Sequence, residues 1–147
     1  MRNLLIIIMI AFCQMNSLGQ NIITDTIAIG SHTISFPKPG RYHKSEFKYE
    51  EGNSVGFIVN EDMAILDFIE GAMIIVPPKD SALLISSRII DSILTDNIYK
   101  YTENGEILFQ RILHIIPYNL YLTYNSVKEQ CLQKYNHIFD NLKIYSK

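Results

Sequence analysis

The sequence has few of the residues that support covalent or metal-dependent folds. It contains two cysteines, no tryptophan, seven glycines and five prolines in 147 residues. Cys13 lies in an apolar N-terminal segment, so Cys131 is the thiol that remains after cleavage of that segment and no intramolecular disulfide is expected. A P-loop, a dinucleotide fingerprint and a Gly-x-Ser-x-Gly elbow are all missing, so the sequence offers no motif for a common catalytic class.

The chain also lacks an excess of basic residues. Thirteen Lys and Arg stand against fifteen Asp and Glu, which gives a formal net charge of −2 at pH 7. Because phosphate binding needs clustered Lys and Arg, nucleic acid is not expected as a partner. The histidines show none of the spacings of a metal site, so we predict no metal and no cofactor. They are His32, His43, His114 and His137.

The first 19 residues have the pattern of a secretory signal. A positive start is followed by the apolar run LLIIIMIAF and then by small residues before Gln20. This order predicts cleavage before Gln20, export, and a single domain over residues 20–147 without a transmembrane segment. High Ile and Asn content is typical of an AT-rich bacterial genome, and in a Gram-negative cell the destination would be the periplasm.

Lipid attachment at Cys13 is the alternative for the mature N-terminus. That processing requires a small residue before the cysteine, and Phe12 stands there instead. Phe12 therefore favours a free end over a lipid-tethered one.

Two β-hairpins are the clearest local predictions. Apolar and polar residues alternate between Asp25 and Phe36 around Gly30-Ser31, which suits a type II′ turn. Asn104-Gly105 is the strongest short hairpin signal and separates strands expected at 98–101 and 107–116. Further strands are expected at 55–59, 63–70, 72–76 and 120–124. The polar segment 41–53 is interpreted as a loop with at most one helical turn.

Two segments show helical periodicity. Apolar residues in 80–94 recur at spacings of three and four, which predicts a central helix. Ser126 and Glu129 match a capping box, which predicts a C-terminal helix with Cys131 on its apolar face. The expected fold class is therefore α+β, an antiparallel β-sheet with two main helices, central and C-terminal, packed on it.

The two ends of the chain resemble a known family. ISFPKPG at 34–40, LYLTYNS at 120–126 and FDNLKI at 139–144 are similar to the first strand, last strand and terminal helix of PsbP-like domains, including the DcrB-like group of bacterial envelope proteins. The aromatic residue after the first Pro-Gly is here Tyr42, one position later than the usual Trp. By analogy of fold, the resemblance implies a binding or assembly module.

Acidic and tyrosine side chains are the candidates for partner binding. The carboxylates between Glu46 and Glu70 share their stretch with one basic residue, Lys48, and form either a solvated face or a patch for a basic protein. Tyrosines near the last strand either pack on the sheet or contact a partner. The selected residues are Glu50, Glu51, Glu61, Asp62, Tyr118 and Tyr121.

Arg111 is a charged residue in the middle of an apolar strand. Alternation places it on the same face as Phe109 and Leu113, and a charge on such a face needs a partner. Asp67 and Glu70 also lie in apolar strands and are the predicted partners. A structural ion pair is favoured over a ligand-binding role.

No residue is assigned a catalytic role, because Cys131 and the histidines favour structural roles. We therefore expect an exported, periplasmic, non-enzymatic protein-binding module of the bacterial envelope. One alternative is an immunity protein that neutralises a toxin effector from a competing bacterium. The other is a hydrolase, or a carrier of a small ligand or lipid, whose site is assembled from distant segments.

Overall fold

The computed structural model describes residues 22–49, 52–72, 75 and 77–146. Within these residues, ten strands form two antiparallel sheets and a single helix lies near the C-terminus. The elements are β1 (Thr24–Ile29), β2 (His32–Pro37), β3 (Tyr42–Tyr49), β4 (Gly52–Val59), β5 (Ile65–Gly71), β6 (Leu83–Ile90), β7 (Leu94–Glu103), β8 (Glu106–Ile115), β9 (Leu120–Lys128), α1 (Leu132–Asp140) and β10 (Lys143–Ser146). The signal peptide prediction at residues 1–19 lies outside the described residues.

The predicted α+β fold with two main helices is wrong, because the structure is mostly β. The predicted central helix at 80–94 is strand β6 followed by a turn into β7. A spacing of four residues places side chains on one face of a helix and of a strand alike, so the periodicity did not discriminate between them. The isoleucines favour a strand. Asp91 and Ser92 turn the chain with φ of 48° and 58°.

The predicted loop at 41–53 is also wrong. It contains β3 and the start of β4, which pair in antiparallel fashion with Ser45 opposite Gly56. Strand β3 has a neighbour on one side and is an edge of its sheet. Charged side chains are common on edge strands, so the polar sequence did not exclude a strand.

The predicted capping box is not a helix start. Ser126, with φ of 56°, belongs to β9, which continues to Lys128. A 3-10 turn over Glu129–Cys131 follows, and α1 begins at Leu132 without a side-chain cap at Cys131. The C-terminal helix is thus confirmed, but it begins later than predicted.

Both predicted hairpins are confirmed. Ile27 faces Ile34 across β1 and β2, with Gly30 at φ of 50° in the turn. Strands β7 and β8 meet at Asn104-Gly105, whose φ values are 50° and 79°. The strands predicted at 55–59 and 120–124 lie in β4 and β9, and the strand predicted at 63–70 overlaps β5, which begins later, at Ile65. The strand predicted at 72–76 lies largely outside the described residues.

The core lies between the two sheets and under the helix. The small sheet has the order β1-β2-β10, and the large sheet has the order β3-β4-β5-β9-β8-β7-β6. Phe36 of the small sheet packs on Phe57 and Phe68 of the large sheet, with ring centroids 5.6 and 5.4 Å apart. Phe139 of α1 packs on Tyr124 of β9 at 5.1 Å. This arrangement leaves β3 and β6 as the two edges of the large sheet.

Candidate interaction surface

Strand β6 is an edge of the large sheet whose side chains are mostly apolar and exposed. Leu83, Leu84, Ile85 and Ile89 are exposed by 66, 53, 50 and 72%. Among the described strands, β7 alone pairs with β6, so every second backbone N–H and C=O of β6 points away from the sheet. Exposed apolar side chains beside a free strand edge are typical of an association site.

Polar contacts fix β6 to its neighbour β7. Ser87 Oγ lies 2.7 Å from Asn97 Oδ1, and the Arg88 guanidinium contacts the Asp96 carboxylate. The pairing shifts register between Leu84 and Ser86, which forms a β-bulge. Arg88 is the one charged residue of the strand, and it is bound to the neighbouring strand.

The opposite edge, β3, has a different surface. His43, Lys44, Glu46 and Lys48 are exposed along it, and Lys44 forms an ion pair with Glu46. Charges on an edge strand discourage pairing with another chain, because the incoming strand would have to desolvate them. β3 is therefore a protected edge.

The buried ion pair predicted for Arg111 exists, but its partner is Asp96. Both side chains are 1% exposed, and the contact is bidentate, with Nε 2.8 Å from Oδ1 and Nη2 2.9 Å from Oδ2. Arg111 Nη2 also donates to Asp140 Oδ1 of α1 at 2.7 Å. Because Asp96 binds Arg88 as well, its carboxylate links β6 to β8, and Arg111 extends the cluster to the helix through Asp140.

The electrostatics of this cluster favour the ionised forms of Asp96 and Arg111. Burial raises the pKa of Asp96, but hydrogen bonds from Arg111 and Arg88 outweigh burial and hold that pKa below its ordinary value. Burial lowers the pKa of Arg111, and the carboxylates of Asp96 and Asp140 reverse the shift, so the net direction is upward. The cluster therefore stabilises the packing of the strands and the helix and is not an open binding site.

Asp67 does not pair with Arg111, because it lies on the other face of the sheet. Asp67 pairs with Thr123 across β5 and β9, and Thr123 pairs with Ile112 across β9 and β8. Ile112 is adjacent to Arg111 in the same strand, and adjacent side chains point to opposite faces. Burial raises the pKa of Asp67.

Glu70, the other predicted partner of Arg111, instead joins the two sheets. Its Oε1 accepts a hydrogen bond from Ser31 Oγ at 2.8 Å and lies 2.7 Å from His32 Nδ1. Burial raises the pKa of Glu70, but the contacts with Ser31 and His32 bring it below its ordinary value. A Cβ at Gly30 would lie 1.2 Å from Glu70 Oε2, so any larger residue would displace the Glu70 carboxylate, and the φ of 50° would strain it as well.

Of the acidic residues selected for the predicted patch, the structure describes Glu61 and Asp62, and Asp62 is occupied by internal contacts. Asp62 binds Lys134, accepts a hydrogen bond from Tyr135 Oη at 2.9 Å and lies 3.5 Å from Cys131 Sγ. Glu61 is exposed and lies 3.6 Å from the Arg41 Nε atom. Glu50 and Glu51 lie outside the described residues. Asp62 is therefore committed to α1 rather than free for a partner.

Cys131 is half-buried and lacks the features of a reactive thiol. Burial raises its pKa, and the neighbouring Asp62 carboxylate raises it further. Because the thiolate is the nucleophilic form, a raised pKa disfavours catalysis at neutral pH. Cys131 packs against the core, as predicted from its place on the apolar face.

The two candidate tyrosines contact histidine rings, Tyr118 in a tilted arrangement and Tyr121 in a stacked one. The ring centroids of Tyr118 and His32 are 4.6 Å apart, and those of Tyr121 and His114 are 4.0 Å apart at an interplanar angle of 5°. Both tyrosines are half-buried, and burial lowers the pKa of His114. Packing on the sheet thus accounts for much of their surface.

An open groove lies between the start of β1, the end of β2 and α1. Its volume is about 790 Å³. Apolar residues such as Ile23 and Ile138 line it together with Lys38, Lys134 and His137. This mixed lining differs from the apolar cavity that a lipid carrier would need.

Comparison of the chain with protein-family models, curated proteins and solved structures returned no match. The resemblance of the two ends to PsbP-like domains therefore stays a prediction. Among the described residues, no group of three or more His, Cys, Asp or Glu side chains is arranged to hold a metal ion. None of the described helices has the length and apolar character of a membrane span.

Sequence reasoning missed the β6 edge because residues 80–94 were interpreted as a helix. The signal that could have found it is the segment LLISSRII, which ends at Asp91-Ser92. Leucine and isoleucine on both sides of a short polar stretch, followed by residues that favour turns, are typical of a strand that ends in a hairpin.

Proposed function

We propose that the protein is an exported, non-enzymatic module that binds another protein chain by pairing a strand with the β6 edge. The observation that carries the proposal is the exposure of Leu83, Leu84 and Ile89 beside a free strand edge. In such β-augmentation the added strand supplies main-chain hydrogen bonds, and its side chains cover the apolar residues of the edge. Export rests on the signal pattern of residues 1–19.

The titratable groups of the described residues are consistent with a binding role. The Cys131 thiol has a raised pKa, and Asp96 is saturated by two guanidinium groups. Asp96 thus links strands, and Cys131 packs beside Asp62 against the core, so both groups have structural roles.

Site-specific photo-crosslinking in the producing cell tests the proposal. We expect p-benzoylphenylalanine in place of Ile89 to give a covalent adduct of defined mass after irradiation. The matched control replaces Ile58, which is 44% exposed on β4 near the opposite edge, and should give none. Equal adducts at both positions, or none at Ile89, would refute the proposed role of β6.

A further inference from the structure

We infer that the strand that pairs with β6 is the β6 strand of a second copy of this protein. The inference rests on the proposed function, since it names the partner of the same edge. Two-fold pairing would join two large sheets edge to edge and use the same surface on both copies, which is the commonest symmetry of homodimers.

The sequence of β6 suits antiparallel pairing about a two-fold axis at Ser87. In this register Ile89 faces Ile85 of the second copy, and Ile90 faces Leu84 of the second copy. The exposed side chains of Leu84, Ile85 and Ile89 would therefore be covered across the junction, and such cross-strand contacts contribute to stability. The register shift between Leu84 and Ser86 places the bulge at Ile85, two residues from the axis on each side, and leaves residues 86–88 at the centre of the pairing in regular register.

Charge favours the same register. An axis at Arg88 would place two guanidinium groups opposite each other, and like charges directly opposite destabilise a strand pair. With the axis at Ser87, Arg88 faces Ser86 of the second copy and keeps its contact with Asp96. Residues 83–90 contain no Lys, Asp, Glu or Pro, so the usual residues that block edge pairing are lacking in this segment.

The other edge is unsuited to a second copy. Strand β3 exposes Lys44, Glu46 and Lys48, and an approaching strand would have to bury them. Pairing through β6 therefore closes at two copies and does not extend into a fibre, because each dimer ends in two charged edges.

Disulfide trapping tests the register. Directly opposite residues in antiparallel strands have Cα atoms about 4.5 to 5.5 Å apart, which lies within the range of about 4.4 to 6.8 Å that a disulfide spans. Ser87→Cys should therefore form a disulfide-linked dimer on mild oxidation of the purified protein. The matched control is Ser45→Cys, an exposed serine on β3, which should form no disulfide-linked dimer because its β3 edges do not meet in the proposed pairing. Cys131 is present in both variants.

Sedimentation velocity over a range of concentrations tests the dimer without a crosslink. Wild type should dimerise as concentration rises, and Ile89→Lys should weaken the dimer at least about tenfold by opposing two new charges to apolar partners. A wild-type chain that stays monomeric, and a Ser87→Cys variant that crosslinks no better than Ser45→Cys, would overturn the inference. If Ile89 then still crosslinked to a different protein, the proposed function would stand and only the self-pairing would fall. If no adduct formed at Ile89, both the proposed function and the self-pairing would be refuted.

Discussion

The two edges of the large sheet differ in the side chains that they would present to an approaching strand. β3 is covered with charges, including the Lys44–Glu46 pair, whereas β6 exposes leucine and isoleucine and binds its one arginine to its neighbour. Both edges belong to one sheet and each leaves backbone N–H and C=O groups without a neighbouring strand among the described residues, although β6 also carries a bulge at Ile85. The comparison teaches that two edges of one sheet can differ sharply in the charge and polarity of their side chains.

The largest effect is expected at the carboxylate that fastens the apolar edge. Asp96→Asn leaves Arg111 buried without its bidentate partner, and breaking a buried ion pair costs about 3 to 5 kcal/mol. The free energy of unfolding in urea measures this loss. The control is Glu46→Gln on the exposed β3 edge, where a change within about 0.5 kcal/mol is expected. Similar losses in the two variants would show that the buried Asp96–Arg111 ion pair contributes no more to stability than the exposed Lys44–Glu46 pair.

Acid should weaken the molecule through the same carboxylate. The folded pKa of Asp96 is lowered, so its contribution to stability is present above the unfolded pKa of about 3.9 and is lost as pH falls through the folded value. Asp62 and Glu70 contribute with the same sign, and Asp67, whose pKa is raised, with the opposite sign. Urea unfolding between pH 3 and 7 should show a drop in stability below pH about 4.

That drop should be smaller in Asp96→Asn, because the variant has no carboxylate to titrate at this position. An identical acid dependence in wild type and variant would assign the effect to Asp62 and Glu70 instead.

Converting the protected edge into an apolar one should abolish the difference between the edges. The double variant Lys44→Ile, Lys48→Ile removes two exposed charges from β3. We expect it to form assemblies larger than a dimer as concentration rises, because both edges then accept a strand. Light scattering measures this growth. A mass that stays equal to that of wild type would indicate that features other than charge protect β3.

The smallest effect is expected when Ile89→Lys makes the apolar β6 edge polar and the free energy of unfolding of the monomer is measured. Ile89 is 72% exposed, so Ile89→Lys removes little buried surface and should change the free energy of unfolding by about 0.5 kcal/mol or less. Dilute samples followed by circular dichroism provide the measurement. A loss above about 1 kcal/mol would mean that Ile89 is part of the monomer core.

Local signals predicted the hairpins but not the environment of β6. Gly30 and the pair Asn104-Gly105 act through backbone conformation within two residues, so the sequence alone suffices. The segment 80–94 has a spacing compatible with either a helix or a strand, and tertiary pairing with β7 decided between them. Much of the segment that periodicity assigned to a helix is therefore the edge strand β6.

The partner of Arg111 was missed because the predicted strand began too late. Asn104-Gly105 fixes a register in which Ile98 faces Arg111, and extending it by two residues brings Asp96 diagonally beside Arg111 on the same face. The prediction ended at Ile98 and left Asp96 out. The sequence was therefore sufficient to predict that Arg111 needs a buried carboxylate. Identifying that carboxylate as Asp96 required the β7–β8 register to be extended past Ile98.

Strand β10 gives the molecule a late step in its assembly. Its residue Ile144 pairs with Ile34 of β2, so most of the chain lies between two strands that are neighbours in the small sheet. Contacts between residues so far apart in sequence form slowly. A chain synthesised from its N-terminus cannot complete the small sheet until β10 is available to pair with β2. Until then β2 has β1 as its one neighbour in that sheet.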